Sequence, residues 1–250
     1  MRIISYNIHK GFNSSNLKFV LSRIREAVIP LNADLVLLQE VQGRHDGHSK
    51  NQKDWPSVTQ MEYLAESIWP HFAYGRNAIY ENGHHGNAIL SKHAIAYWEN
   101  QDISSSSLER RGLLHAVIKF PGLPVPLHVI CVHLSLFESS RQSQLEDLCV
   151  RVQGVVPEGA PLVIGGDFND WRERASELLR DRLGMEECFL GLNGRHVKTF
   201  PSWLPLLPLD RLYVRGLECR ASSGLSGTPW SDLSDHLPLL ADFEIGKQVR

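Results

Sequence analysis

The sequence predicts a layered α/β sandwich, on three observations. Short apolar runs with β-branched residues recur along the 250 residues, most of them bounded by Gly, Pro, Asn or Asp. Several of these runs are apolar on both faces, the pattern of strands covered on both sides. Helical patterns separate some runs while others follow one another like hairpins, so the order is not the strict strand–helix alternation of a parallel sheet.

In chain order, the strand runs are Ile3–Tyr6, Leu35–Leu38, Ala88–Leu90, Leu113–Phe120, Leu127–Leu134, Leu162–Ile164, Leu209–Val214 and Leu237–Phe243. Asn16–Ile29 sets Leu17, Val20, Leu21, Ile24 and Val28 on one helical stripe after a Ser/Asn-rich start, and Pro30 is the stop. Thr59–Trp69, Glu138–Val152 and Arg172–Arg182 read as helices in the same way. No linker rich in Gly, Pro and Ser divides the chain, and no repeat of solenoid period is present, so residues 1–250 are expected to form a single domain.

The composition, 42% hydrophobic and 22% charged, is that of an ordinary globular protein. A net charge of −2 gives no basic footprint of a dedicated nucleic-acid binder, which argues against tight non-specific DNA binding but not against nuclease chemistry. The four cysteines, Cys131, Cys149, Cys188 and Cys219, have no zinc spacing and read as buried thiols of a reducing compartment. The chain opens on a strand pattern, and no run reaches membrane-spanning length. These features lead us to expect a soluble, cytoplasmic monomer.

Four segments carry polar residues at the ends of apolar runs: Ser5-Tyr6-Asn7-Ile8, Leu38-Gln39-Glu40-Val41, Gly165-Gly166-Asp167-Phe168-Asn169 and Ser234-Asp235-His236. Each has a bland explanation alone, such as a strand-end cap, an exposed charge or an Asx turn. Together they point to groups converging on a hard cation and a phosphate. Asn7 and Glu40 offer one amide oxygen and one carboxylate, a set that suits Mg²⁺, with Mn²⁺ as the substitute. Asp235 is placed to reach the metal directly or through water. Asp167 and Asn169, two apart on extended backbone, can face the same way: Asp167 to deprotonate water and Asn169 to donate to a phosphate oxygen. Asp210 and His236 are expected to pair, the carboxylate fixing the imidazole tautomer. His133 ends the run from His128 and is a candidate for stabilising charge on the phosphoryl oxygens.

These segments resemble the endonuclease/exonuclease/phosphatase superfamily, and the resemblance runs from Asn7 to His236. It implies a four-layered sandwich of two mixed, largely antiparallel sheets with helices outside. It also implies metal binding by Asn7, Glu40 and Asp235, a base at Asp167 beside Asn169, phosphate contact by His133 and an Asp210–His236 dyad. The segments Ile8-His9-Lys10-Gly11, Tyr74-Gly75-Arg76-Asn77, His84-His85-Gly86-Asn87-Ala88, Arg110-Arg111-Gly112 and Thr199-Phe200-Pro201 further resemble a narrower group of small bacterial members. On that likeness Lys10, His85, Asn87 and Arg111 are candidate substrate contacts.

The function that follows is magnesium-dependent hydrolysis of a phosphate ester by in-line attack of water, most simply on a small or lipid-related phosphodiester. A phosphomonoesterase is the alternative if Lys10, Arg76 and Arg111 grip a dianion, and an endonuclease or exonuclease on nucleic acid is the less favoured partner reading. A non-catalytic lipid- or protein-binding module on the same fold is the remaining alternative, and the apolar segment Pro201–Pro208 supports it. That segment is read as a packed loop covering the site, with transient contact to a lipid surface as its other reading.

Overall fold

The computed structural model describes residues 1–47, 52, 54–106 and 109–245. Two six-stranded sheets stack face to face. The first has the order β11-β12-β1-β2-β4-β3, built from β1 (Arg2–Asn7), β2 (Leu35–His45), β3 (His71–Tyr80), β4 (Gly83–Ser91), β11 (Glu218–Gly224) and β12 (Leu239–Glu244). The second has the order β5-β6-β7-β8-β10-β9, built from β5 (Ile95–Asp102), β6 (Gly112–Ile118), β7 (Leu127–His133), β8 (Leu162–Asp167), β9 (Glu186–Glu187) and β10 (Asp210–Arg215). Only β1–β2 and β7–β8 run parallel; the other pairs are antiparallel.

Period-two burial explains the layers. Ile3, Leu35 and Leu37 join the core between the sheets, whereas Ile4, Val36 and Leu38 face outward onto α1 (Leu21–Val28) and α2 (Gln60–Ala65). On the other side Ile130, Val132, Leu162 and Ile164 pack beneath α3 (Glu138–Val155) and α4 (Ala175–Leu183). The result is the four-layered α/β sandwich, with two short helices, α5 (Cys188–Asn193) and α6 (Trp230–Leu233), in the later connections.

Four strands escaped the sequence pattern: β3, β5, β11 and the two-residue β9. Each is an edge strand, and an edge exposes one side, so its residues are mixed in polarity and the apolar signal disappears. The first helix is also shorter than its stripe suggested. The Asn13 side chain accepts the Leu17 and Lys18 N–H groups and holds them in a turn, which leaves Leu17 exposed and delays the helix to Leu21. The Thr59 start is borne out: Thr59 and Glu62 form a reciprocal capping box. Among the described residues no helix is long and apolar enough to cross a membrane.

Candidate active site

Strand register gathers the site. His133 on β7, Asp167 on β8 and Asp210 on β10 are lateral neighbours, because His133 pairs with Asp167 and Asp167 with Asp210. Gly166 permits this packing: its φ is +145°, and a Cβ there would collide with the Val132 carbonyl of the adjacent strand. The facing sheet supplies Asn7 and Glu40. Between the pairs Leu38–Ala88 and Val41–Gly86, β2 has two residues, Gln39 and Glu40, where β4 has only Asn87. Glu40 occupies this bulge at a φ of +54°, a strained conformation that turns its side chain out of the ladder and toward the site. His9, Lys10 and Asn169 near the site also have positive φ, as do Asn16, Asn32, Ser67 and Glu173 elsewhere.

Asp167 is the centre of the arrangement. Its Oδ1 accepts the Asn169 N–H at 3.0 Å and its Oδ2 accepts from Asn7 Nδ2 at 3.1 Å. The same Oδ2 lies 3.5 Å from His133 Nε2 and 3.7 Å from His236 Nε2. His236 Nδ1 pairs with Asp210 Oδ2 at 2.8 Å, and the Thr199 hydroxyl donates to that oxygen at 2.5 Å. Burial pushes the Asp167 carboxyl above the usual carboxylate range, against the pull of His236 and with the Asp210 charge adding to the rise. Burial opposes the His236 imidazolium, but Asp210, Asp167 and Asp235 override it and raise its pKa. At 3.7 Å the charge on each of the two groups bears on the titration of the other.

Glu40 behaves in the opposite way. Burial would raise its pKa, yet His133, Lys10, His9 and His236 outweigh that and hold the carboxyl ionised. Lys10 Nζ is 3.2 Å from Oε2, which makes no hydrogen bond. Asn7 Nδ2 also reaches Glu40 Oε1 at 3.4 Å, while Asn7 Oδ1 accepts the His9 N–H. Asp235 is partly exposed, with His9 Nδ1 at 3.7 Å. His133 is buried, and burial followed by the Arg111 charge drives its pKa down, while the Glu40 charge pulls it up.

A cavity of about 420 Å³ opens over these groups. Lys10, Glu40, His85 and Arg111 form one wall; His133, Asp167, Asn169, Asp235 and His236 form the floor. Asp210 lies behind His236 and Asn7 below Asp167, both buried. Burial, then Lys10, lowers the His85 pKa to about 4. Arg111 is paired with Glu109 at 3.2 Å.

Two expectations need correction. Asn87 does not reach the cavity: it is fully buried opposite the Glu40 bulge, and its Nδ2 donates to the carbonyls of Gly112 and Cys131, tying the two sheets together. Arg76 is exposed and also lies outside the lining. The lining also holds an apolar group, Leu136, Trp171, Phe200, Leu207 and Leu209, of which the sequence pointed only to the loop Pro201–Pro208 that carries Leu207. These residues come from separate loops. The available signal was the placement of Leu136, Trp171, Leu207 and Leu209 one to four residues from strand ends that carry His133, Asp167 and Asp210; Phe200 is brought in by its bridge to Leu207.

The ligand atoms of Asp167, Asp210 and His236 lie within 4.8 Å of one another, a spacing that a metal could bridge. Both imidazole nitrogens already face the two carboxylates, so we read this cluster as a proton-sharing chain.

Comparison with known proteins places this geometry. A profile described as the Endonuclease/Exonuclease/phosphatase family matches residues 4–236. The chain is 44% identical over 244 residues to the protein YbhP of Escherichia coli (strain K12), covering 98% of this chain and 96% of the relative, which is described as uncharacterized. Its fold resembles that of an endonuclease/exonuclease/phosphatase from Beutenbergia cavernae, with a TM-score of 0.79, 19% identity, and coverage of 98% of this chain and 72% of the other. It likewise resembles a mannosyl-6-phosphatase from Bacteroides thetaiotaomicron, with a TM-score of 0.74, 14% identity, and coverage of 98% and 99%. The chain thus belongs to the Endonuclease/Exonuclease/phosphatase family, whose fold is a hydrolase fold for phosphate esters.

Proposed function

We propose that this protein is a divalent-metal-dependent phosphodiesterase, a single catalytic domain over residues 1–250 that hydrolyses a small or lipid-related phosphodiester by in-line attack of water. The observation that carries the reading is a set of buried polar atoms without hydrogen-bond partners, all on residues lining one cavity: Glu40 Oε2, His85 Nδ1 and Arg111 Nε. Buried polar atoms are normally hydrogen-bonded, so His85 Nδ1 and Arg111 Nε without partners, beside a Glu40 oxygen that meets only the Lys10 charge, favour a ligand that carries both a cation and an anion.

The donor set fits Mg²⁺ or Mn²⁺. Glu40 is held ionised with an oxygen free of hydrogen bonds, Asp235 is nearby, and no thiolate is present. Asn7 completes the set once its amide turns over, because Nδ2 now faces the carboxylates. A bound divalent cation would neutralise the phosphate and the oxygen that leaves. Asp167, with its raised pKa, takes the proton of the attacking water. His236, held by Asp210, and His133 donate to the equatorial oxygens, and Asn169 stands beside them.

The charge balance of the cationic wall favours a diester over a monoester. Lys10 is already paired with Glu40 and Arg111 with Glu109, which leaves little excess charge for a dianion. The test is Mg²⁺-dependent turnover of bis(p-nitrophenyl) phosphate beside p-nitrophenyl phosphate, plasmid DNA and single-stranded DNA. Hydrolysis of the diester, abolished by EDTA and by Asp167→Asn, supports the reading. Faster hydrolysis of the monoester or of DNA replaces it, and no turnover of any substrate supports a binding module.

A further inference from the structure

The segment from Phe200 to Leu207 lines the cavity at its two ends, but its tip does not pack over the site. Its base is fastened: Phe200 and Leu207 form a β-bridge, Ser202 N–H donates to the Asp235 carbonyl at 2.8 Å, and Ser202 Oγ donates to the Ser234 carbonyl at 2.6 Å. Its tip is bare. Trp203 is 69% exposed and Leu206 is 55% exposed, with Leu204 between them also in solvent. Leu136 and Trp171 of the cavity lining are exposed as well, with Phe137 next to Leu136 in the chain. Leu136, Trp171 and Leu207 both line the cavity and face solvent, so the outer apolar surface is continuous with the inner apolar wall. Scattered exposed hydrophobic residues are ordinary, but a contiguous group rimming a polar catalytic cavity marks an interaction surface.

We propose that this rim is a bilayer-docking surface and that the substrate is an amphiphilic phosphodiester drawn from that bilayer; the substrate half of the inference rests on the phosphodiesterase reading above. Trp203, Leu204 and Leu206 enter the interfacial apolar layer, and the apolar wall receives the first part of the substrate's hydrocarbon chain while its phosphate meets Asp167. The chemistry of the rim selects this occupant. Apart from the Trp171 indole, the wall has no side chain able to read the polar edge of a nucleobase, whereas leucines suit an alkyl chain. A stable protein partner on the rim would close the mouth of the cavity, while a bilayer brings the substrate to it. A tryptophan among leucines at the tip matches the amphipathic level of a bilayer interface. The fastened base keeps the tip standing out, so docking sets the cavity against the surface without unfolding the site.

The test compares wild type with the double variant Trp203→Ala/Leu206→Ser, neither residue being part of the cavity lining. Both proteins are sedimented with vesicles of phosphatidylcholine alone and of phosphatidylcholine with phosphatidylglycerol, and both are assayed on those vesicles and on bis(p-nitrophenyl) phosphate. The expected result is vesicle binding and vesicle hydrolysis by wild type. The variant should lose at least about tenfold of each, given the apolar area removed, with unchanged turnover of the soluble diester. The wild-type emission, less that of Trp203→Phe, should shift to the blue on adding vesicles. Equal binding by variant and wild type, or no wild-type binding to either vesicle, overturns the proposal. Vesicle binding with no hydrolysis of any diester overturns the phosphodiesterase reading and the substrate assignment, and keeps the docking surface.

Discussion

Two buried carboxylate–imidazole pairs in this molecule look alike at close range and differ in everything around them. At the cavity, Asp210 holds His236 at 2.8 Å; on the far side of the second sheet, Glu187 holds His196 at 3.1 Å. Each imidazole offers its other nitrogen to a third group. For His236 that group is Asp167, on the cavity floor at 3.7 Å. For His196 it is the Ser176 hydroxyl at 3.2 Å, itself bonded to Tyr213 at 3.0 Å; His196 borders a separate surface cavity, but Glu187, Ser176 and Tyr213 do not line it. Glu187 also accepts the backbone N–H groups of Leu190 and Leu212, so its carboxylate caps α5 and anchors β10. The pair geometry is therefore not what distinguishes catalysis from scaffolding. The distinction lies in whether the far nitrogen faces a charged group beside open space or a satisfied hydroxyl.

The largest effect that sharpens this contrast is expected at the group His236 faces. Asp167→Asn should lower turnover by at least about two orders of magnitude, the scale of lost general-base catalysis, with the fold retained. The matching change in the other network, Ser176→Ala, should leave turnover per folded molecule unaltered. A deep loss from Ser176→Ala would erase the contrast.

Asp210→Ala and His236→Ala should each be damaging, with the double variant little worse than the worse single, because hydrogen-bonded partners act as a unit. Additive losses in kcat/KM would show two independent residues. For the scaffold pair the readout moves from rate to stability. Glu187→Ala strands a buried imidazole and two backbone N–H groups, and should cost about 2–4 kcal/mol in urea unfolding with kcat/KM of the folded fraction unchanged.

Glu40→Gln tests the metal-facing edge of the site. It should weaken Mg²⁺ binding roughly tenfold, as a charge contact worth ~1.4 kcal/mol would, with little change in Tm. Calorimetric titration of Mg²⁺ giving wild-type affinity would remove Glu40 from the ligand set. The smallest effect concerns an imidazole pair bonded to itself, His115 Nε2 and His128 Nδ1 at 3.0 Å. Burial lowers both pKa values, His115 to about 4. The unfolded chain then binds more protons than the folded one on acidification. Stability is full above about pH 6.5 and is lost as pH falls toward 4, which is opposite in sign to a histidine raised by a carboxylate. Tm measured at pH 7 and pH 5 should fall more in wild type than in His115→Gln.

The sequence by itself determined the strands buried on both faces and the residues at their ends, because period-two burial and a polar residue after an apolar run are local signals. Asn7, Glu40, His133, Asp167, Asp235 and His236 were legible in that way, and the structure brings them together around one cavity. The pairing of Asp210 with His236 was expected from residue chemistry, and resemblance to other proteins supported it, but the register that sets Asp210 beside Asp167 came from the tertiary structure. Local pattern also failed at the edges: β3, β5 and β11 lack an apolar signature because one side of each faces solvent. Only the tertiary structure decided that Asn87 ties the sheets rather than the substrate, since its environment is made by Gly112 and Cys131 from strands distant in sequence. It likewise decided that Trp203 stands exposed, because the hydrogen bonds fixing that loop come from Ser234 and Asp235. The physical reason is the same throughout. A residue's periodicity is set by its neighbours along the chain, whereas its partners are set by strand register and loop closure between segments that sequence order keeps apart.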